Sequence, residues 1–239
     1  MCTLEKRGNL FFLTLTGDDD HRLGPAVIDS LLSALSQVKS QATRGSALIT
    51  TAQGSKFFSN GLDLAWARAA NSNSAALGRL GQMVASFKPI IAELISLPMP
   101  TIAALPGHAA AGGFLLAISH DYIVMRSDRG VLYMSEVDLG LPLPDYFSAV
   151  LRAKIGSVSA RREVMLTGKK IRGEEAVEMG IVDSAHVSAE KALEAAVRLG
   201  EQLAQRKWDG EVYAEIRKSM FPEMCGVLGV SSKVIAAKL

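Results

Sequence analysis

The stretch from Thr101 to Asp121 constrains this chain more than any other: Thr-Ile-Ala-Ala-Leu-Pro-Gly-His-Ala-Ala-Ala-Gly-Gly-Phe-Leu-Leu-Ala-Ile-Ser-His-Asp. An apolar, strand-like run breaks at Pro106-Gly107, passes through very small residues and resumes as an apolar helix. Small residues ahead of a helix let another backbone or a ligand approach closely. The helix start presents N–H groups without intrahelical partners at the positive end of the dipole. Such a place suits an anion, or a negative charge that exists only during a reaction. It equally suits tight packing of a buried helix on a sheet, so the other segments must decide.

The segments on either side alternate strand and helix. Asn9–Thr16 reads as a strand that turns at Gly17-Asp18-Asp19-Asp20. Pro25 can open a helix whose buried face is Val27, Leu31, Leu32, Leu35 and Val38. Ser46–Ala52 is a second strand, and Gly54–Gly61 a loop whose neighbour Asp63 can cap a short helix. The patch Ala69–Ala76 reads as a mobile surface loop, followed by a helix over Ala75–Ser96 with Leu80, Val84, Phe87, Ile91, Leu94 and Ile95 buried, stopped by Pro98 and Pro100. Further strands are expected near Tyr122–Arg126 and Val131–Met134. From Asp145, itself placed to cap a helix, the pattern is helical almost to the end, with glycine-type stops at Gly168 and Gly180. Strand–helix alternation followed by helices alone predicts an α/β core with a C-terminal helical portion.

Composition narrows the function classes. With 239 residues, 49% apolar and 21% charged, the chain can bury a substantial core. Twenty-six basic against 24 acidic residues leave +2, with no basic cluster to suggest nucleic acid. No apolar run suggests a membrane span. Cys2 and Cys225 have no ligand spacing, and the four histidines show none either, so no metal is expected; His108 and His120 read as structural, hydrogen-bonded groups. No GxGxxG, P-loop or GxSxG pattern occurs, which removes support for dinucleotide, nucleoside-triphosphate and serine-hydrolase sites.

Three pieces could carry chemistry: Lys56-Phe57-Phe58-Ser59-Asn60-Gly61-Leu62-Asp63, the Gly107–Leu115 turn and helix start, and Glu136 in the apolar run Tyr133–Leu141. In that order, together with Leu166-Thr167-Gly168, Ala176 and Gly180-Ile181-Val182-Asp183, they resemble the enoyl-CoA hydratase/isomerase (crotonase) superfamily over roughly residues 8 to 200. The resemblance implies a crotonase-like ββα spiral core over 1–186 and a C-terminal helical trimerisation region over 187–239. It implies an acyl-CoA thioester as substrate, CoA entering only as part of that substrate, with no separate cofactor. The family's two oxyanion donors fall on the backbone N–H groups of Leu62 and Gly112. The substrate side of the site falls on Lys56, Ser59, Asn60, Gly61 and Leu115.

The resemblance also discriminates among reactions. Family hydratases use two glutamates; the first position is Leu115 here and the second is Glu136. A lone carboxylate suits a proton moved between carbons and not the addition of water, so the expectation is a Δ3,Δ2-enoyl-CoA isomerase. The alternatives are a dienoyl-CoA isomerase, an enoyl-CoA hydratase and a non-enzymatic CoA-ester-binding scaffold; Asp145, if not a cap, and Asp138, if not solvent-facing, would favour the first. A homotrimer or dimer of trimers is implied as well. Finally, Ala237-Lys238-Leu239 resembles the small-basic-Leu peroxisomal address, which predicts an import receptor as partner and a peroxisomal location.

Overall fold

Two sheets divide the strands between them. In the computed structural model, which describes residues 1–235, β1 (Cys2–Arg7), β2 (Leu10–Leu15), α1 (Pro25–Ser40), β3 (Ala47–Ala52), β4 (Phe57–Ser59), α2 (Leu64–Arg68), α3 (Asn73–Ser96), β5 (Thr101–Leu105), β6 (His108–Ala110) and α4 (Gly112–Ile118) come first. They are followed by β7 (Tyr122–Arg126), β8 (Val131–Tyr133), α5 (Asp145–Lys154), α6 (Val158–Leu166), β9 (Ile171–Arg172), α7 (Gly173–Glu178), β10 (Ser184–His186), α8 (Ala189–Gln205), α9 (Gly210–Met220) and α10 (Pro222–Leu228). The larger sheet runs β1-β2-β3-β5-β7-β10 and the smaller β4-β6-β8-β9. Strands β2, β3, β5, β7 and β10 are parallel, as are β4, β6 and β8; the terminal pairs β1–β2 and β8–β9 are antiparallel. From β3 onward the strands come in pairs, β3/β4, β5/β6, β7/β8 and β9/β10, with one strand of each pair in each sheet. The Ala237-Lys238-Leu239 tripeptide lies outside the described residues.

Burial on both faces explains the near-continuous apolar strands Leu10–Leu15 and Ala47–Ala52. One face packs on α1, α3, α4 and α5 through Leu31, Leu35, Phe87, Ile91, Phe114 and Phe147. The other is sealed by α8, whose stripe Ala192, Ala196, Gly200 and Ala204 recurs every fourth residue. Small residues at that spacing bring the helix close to Leu10, Ile49 and Ile102. Helix α8 thus belongs to the core, while α9 leaves Val212, Ile216 and Met220 exposed by 41%, 58% and 64%. Arg217 pins α9 beneath the end of α3: it is 4% exposed and donates to the carbonyls of Leu94, Ile95, Leu97 and Met99 and to the Asp121 carboxylate. Those carbonyls include ones a helix end leaves without partners.

Several local expectations need correction. The N-terminal segment is a strand of its own, β1, half exposed and therefore alternating weakly. Phe57–Ser59 is a strand, not loop, because it pairs with β6. Residues 73–76 are the first turn of α3, capped by the Ser72 hydroxyl accepting from the Ala75 N–H, so the mobile loop shrinks to a short link. The late helices are interrupted by β9 and β10, two- and three-residue strands too short to show a period. Pro144 occupies the cap position of α5; Asp145 stands at the first helical position, where its charge favours the dipole but caps nothing. Asp63 does cap α2, accepting from the Trp66 N–H at 2.9 Å. Gly168 and Gly180 follow helix ends with φ of 59° and 67°.

Candidate active site

The carboxyl ends of β4, β6 and β8 open into one cavity of about 650 Å³. Its floor is the junction between the Asn60–Asp63 loop and the Ala111–Gly112 turn. Those two segments are held together by close backbone approach. A Cβ on Gly113 would stand 2.2 Å from the Ser59 carbonyl oxygen, so only glycine lets α4 start against β4. Gly61, at φ +77°, sits so near the turn that a Cβ built there would lie 3.3 Å from the Gly112 nitrogen. Ala111 between them adopts φ 49° and ψ −122°, a conformation that costs a non-glycine residue about 1–3 kcal/mol and that clusters at functional sites. It swings the chain from β6 into α4.

The result is a pair of unsatisfied donors. Gly112 is the first residue of α4, so its N–H has no intrahelical acceptor. The Leu62 N–H lies between Gly61 and Asp63, whose groups are taken up in the bridge to Leu23. Neither donates to any acceptor among the described residues, and both residues line the cavity. A Cβ on Gly112 would be 3.6 Å from the Leu62 nitrogen, so the two residues lie side by side.

Glu136 supplies the matching acid. It follows β8 in a turn fixed by Leu139 N–H to Ser135 O at 3.0 Å and Leu141 N–H to Glu136 O at 2.9 Å. Its Oε2 is buried and accepts no hydrogen bond. Burial raises its pKa above the ordinary carboxylate range, against a smaller opposing pull from the N–H groups of Glu136 and Ser135. Among the described residues that line the cavity, Glu136 is the sole carboxylate.

The remaining wall is apolar and comes from distant segments. Leu64 and Ala65 of α2, Leu77, Leu80 and Val84 of α3, Leu139, Leu141 and Pro142 after β8, and Phe147 of α5 line it. Leu80 and Val84, read as core from their spacing, are only partly buried because they face this space. Leu77 is 66% exposed beside the exposed Arg68. Helices α2 and α3 are tied together by Arg79, which donates to the Trp66 carbonyl at 3.1 Å and stacks on its ring. Tyr146 ties α5 to α3 by donating to the Val84 carbonyl at 2.8 Å.

The other residues singled out from the sequence fall into two groups. Asn60 lines the cavity, its Nδ2 donating to Asp20 at 3.1 Å; Asp20 also pairs with Arg22, another wall residue, and with Lys56. Lys56 lies at the opposite end of β4; Ser59, Gly61 and Leu115 are at the cavity end but stand behind its lining. Ser59 and Leu115 are fully buried. The Ser59 hydroxyl donates to the His21 carbonyl at 2.8 Å and so straps residues 18–23 across β4. Asp138 is exposed, and neither it nor Asp145 lines the cavity. His120 is structural, bonded through Nδ1 to Leu116 O and Nε2 to Thr50 Oγ1, and burial lowers its pKa to about 4. His108 departs from that expectation: its buried Nδ1 has no partner. The sequence reading missed Arg22, Arg68, Leu77 and Phe147 as wall residues, because only topology brings them together. Among the described residues no group of side chains is arranged to hold a metal, and no helix is long and apolar enough to cross a membrane.

A spiral of paired parallel strands around an apolar cavity that Leu62, Gly112 and a lone carboxylate, Glu136, line together is the arrangement of the crotonase class. The chain belongs to the enoyl-CoA hydratase/isomerase family, whose profile matches residues 18–222. It is 67% identical to enoyl-CoA delta isomerase 2, peroxisomal, of Arabidopsis thaliana over 237 residues, covering 99% of this chain and 98% of the relative. It is 64% identical to enoyl-CoA delta isomerase 3 of the same plant, with the same coverage. The fold matches the crystal structure of a probable enoyl-CoA hydratase from Mycobacterium tuberculosis H37Rv with a TM-score of 0.84 at 20% identity, over 95% of this chain and 91% of that one.

Proposed function

We propose that this protein is a Δ3,Δ2-enoyl-CoA isomerase in which Glu136 carries the proton and the Leu62 and Gly112 N–H groups hold the thioester oxygen. The observation that carries the reading is a sole carboxylate with one unpartnered oxygen, lining the same apolar-walled cavity as two residues whose N–H donors are unpartnered. The names of the similar isomerases point to the same reaction.

A thioester acidifies its C2 protons because the carbanion delocalises onto the carbonyl oxygen. Two donors aimed at that oxygen stabilise the dienolate by about 3 kcal/mol each. Glu136 takes a proton from C2 of the 3-enoyl thioester and the electrons move onto oxygen. The same carboxyl returns a proton at C4, the C2=C3 bond forms, and the carboxylate is regenerated. Apolar walls keep water from competing for the intermediate. Leu115 stands where a hydratase of the family has its other glutamate, so no second carboxyl activates water.

Arg22, Asn60 and Arg68 present polar groups at the cavity rim for the CoA portion, and Leu77, Leu80 and Val84 receive the acyl chain. CoA enters only as part of the substrate. The exposed apolar residues Val212, Ile216 and Met220 of α9 support assembly as a homotrimer or dimer of trimers. The name of the similar peroxisomal isomerase supports a peroxisomal setting, with Ala237-Lys238-Leu239 read by the import receptor.

The test is a product assay on 3-cis- and 3-trans-enoyl-CoA across pH. The 2-trans-enoyl-CoA should accumulate without comparable 3-hydroxyacyl-CoA. A base must be ionised to act, and burial raises the Glu136 pKa, so kcat/KM should fall on acidification with a midpoint above the ordinary carboxylate range. Hydration at a comparable rate contradicts the assignment.

A further inference from the structure

The small sheet has a second cavity, at its other end. Strands β4, β6 and β8 are parallel, so Lys56, His108 and Val131 lie together at their amino edge, and the antiparallel β9 brings Arg172 opposite Val131. These residues, with Ser55, Ser127, Asp128 and Arg129, line a cavity of about 410 Å³. Three strand residues separate it from the Glu136 cavity, roughly 10 Å along the sheet.

Its charge is unbalanced. Asp128, the sole acid in the lining, is already held by the buried Arg126, which donates from Nε to Oδ1 at 2.6 Å and from Nη2 to Oδ2 at 2.5 Å. The remaining Arg126 nitrogen donates to the carbonyls of Pro106 and Ser55 at 3.0 and 3.2 Å, fixing this carboxylate–guanidinium pair as part of the wall. Lys56 is paired with Asp20. Arg129 and Arg172 have no ion-pair or hydrogen-bond partner among the described residues, yet both line the same concave space. His108 lines the same cavity, packed against the Phe57 ring with its Nδ1 unpartnered. Burial first, then the positive charges of Arg126, Lys170 and Lys56, hold its pKa below the ordinary imidazole range.

We propose that this cavity is an anion site, separate from the Glu136 cavity, that binds a phosphoryl dianion between Arg129 and Arg172. Two planar guanidinium forks can each take two oxygens of one tetrahedral dianion. The hydroxyls of Ser55 and Ser127 add donors at the same rim, and the cavity leaves room for the organic part of a phosphomonoester.

The test is titration calorimetry at low ionic strength on the full chain, with inorganic phosphate as one probe and glycerol 3-phosphate as the other. Saturable binding is expected, weakened roughly tenfold or more in R129Q/R172Q and in R172Q alone in part, since each fork contributes separately. The pair R22Q/R68Q, which removes cations from the Glu136 cavity instead, should leave the affinity unchanged. Tighter binding of glycerol 3-phosphate assigns the site to an organic phosphate, and equal affinity assigns it to the free ion. Absence of saturable binding, unchanged affinity in R129Q/R172Q, or loss confined to R22Q/R68Q overturns the proposal. Arg129 and Arg172 are exposed and unpaired, and matched thermal melts of the variants confirm that a lost signal is lost binding.

Discussion

Replacing Glu136 by Gln should lower isomerisation of a 3-enoyl-CoA by about 10²–10⁴-fold while thioester affinity stays close to that of the parent protein. The amide keeps the shape of the side chain and its place after β8, and it cannot take a proton from C2 or return one at C4. The two N–H donors remain, so binding persists. The same change should stabilise the fold at neutral pH. A carboxyl whose folded pKa is raised binds its proton more tightly folded than unfolded, so its contribution is fully present below the unfolded pKa and is lost as pH rises through the folded one. Ionising the side chain leaves a charged oxygen without a hydrogen-bond partner, a cost that Gln removes. Kinetics with a saturable substrate and melts at pH 7 check both halves. A variant that loses activity and stability together contradicts the account, because it would make Glu136 a structural group.

The second large effect belongs to a residue without a side chain. Gly113→Ala would put a methyl 2.2 Å from the Ser59 carbonyl oxygen and 2.8 Å from its carbonyl carbon. Backbone cannot rotate away. Ser59 is fully buried, bonded to His21 through its hydroxyl and paired in β4, so strand and helix must part. Overpacking of this kind costs about 3 kcal/mol. The parting separates Leu62 from Gly112, and misplacement by about 1 Å costs on the order of 10² in rate. Denaturant melts and kcat measure the two losses. Gly226→Ala is the control: no atom lies within 4 Å of a Cβ built there, so little should change.

That contrast bears on what could be read before the fold was known. The Gly112-Gly113 pair, the Phe58–Asp63 loop and Glu136 were legible because each carries a local demand: close approach, a cap, a carboxyl in apolar company. The spiral was legible through strand–helix alternation and through ordered motifs at family spacings. Strands β4, β9 and β10 were hidden because two or three residues show no alternation, and their pairing partners are distant in the chain. The cavity wall was hidden for a related reason. Leu80 and Val84 repeat at helical spacing like core residues, and whether such a face meets protein or an open cavity is decided by where α2, α5 and the turn after β8 come to rest. Lys56 belongs to the same motif as Asn60, and a three-residue strand carries it to the opposite edge of the small sheet from the Glu136 cavity, a placement that no spacing in the motif announces.

The claim at the centre is that one carboxyl moves one proton between two carbons in a space that excludes water. A single-turnover reaction on 3-enoyl-CoA deuterated at C2, followed by mass and NMR analysis of the 2-trans product, tests it most directly. The account predicts deuterium at C4 well above the solvent-exchange background, with the transfer abolished in E136Q. Hydrogen at C4 drawn wholly from solvent, or a product carrying water across the double bond, would contradict it.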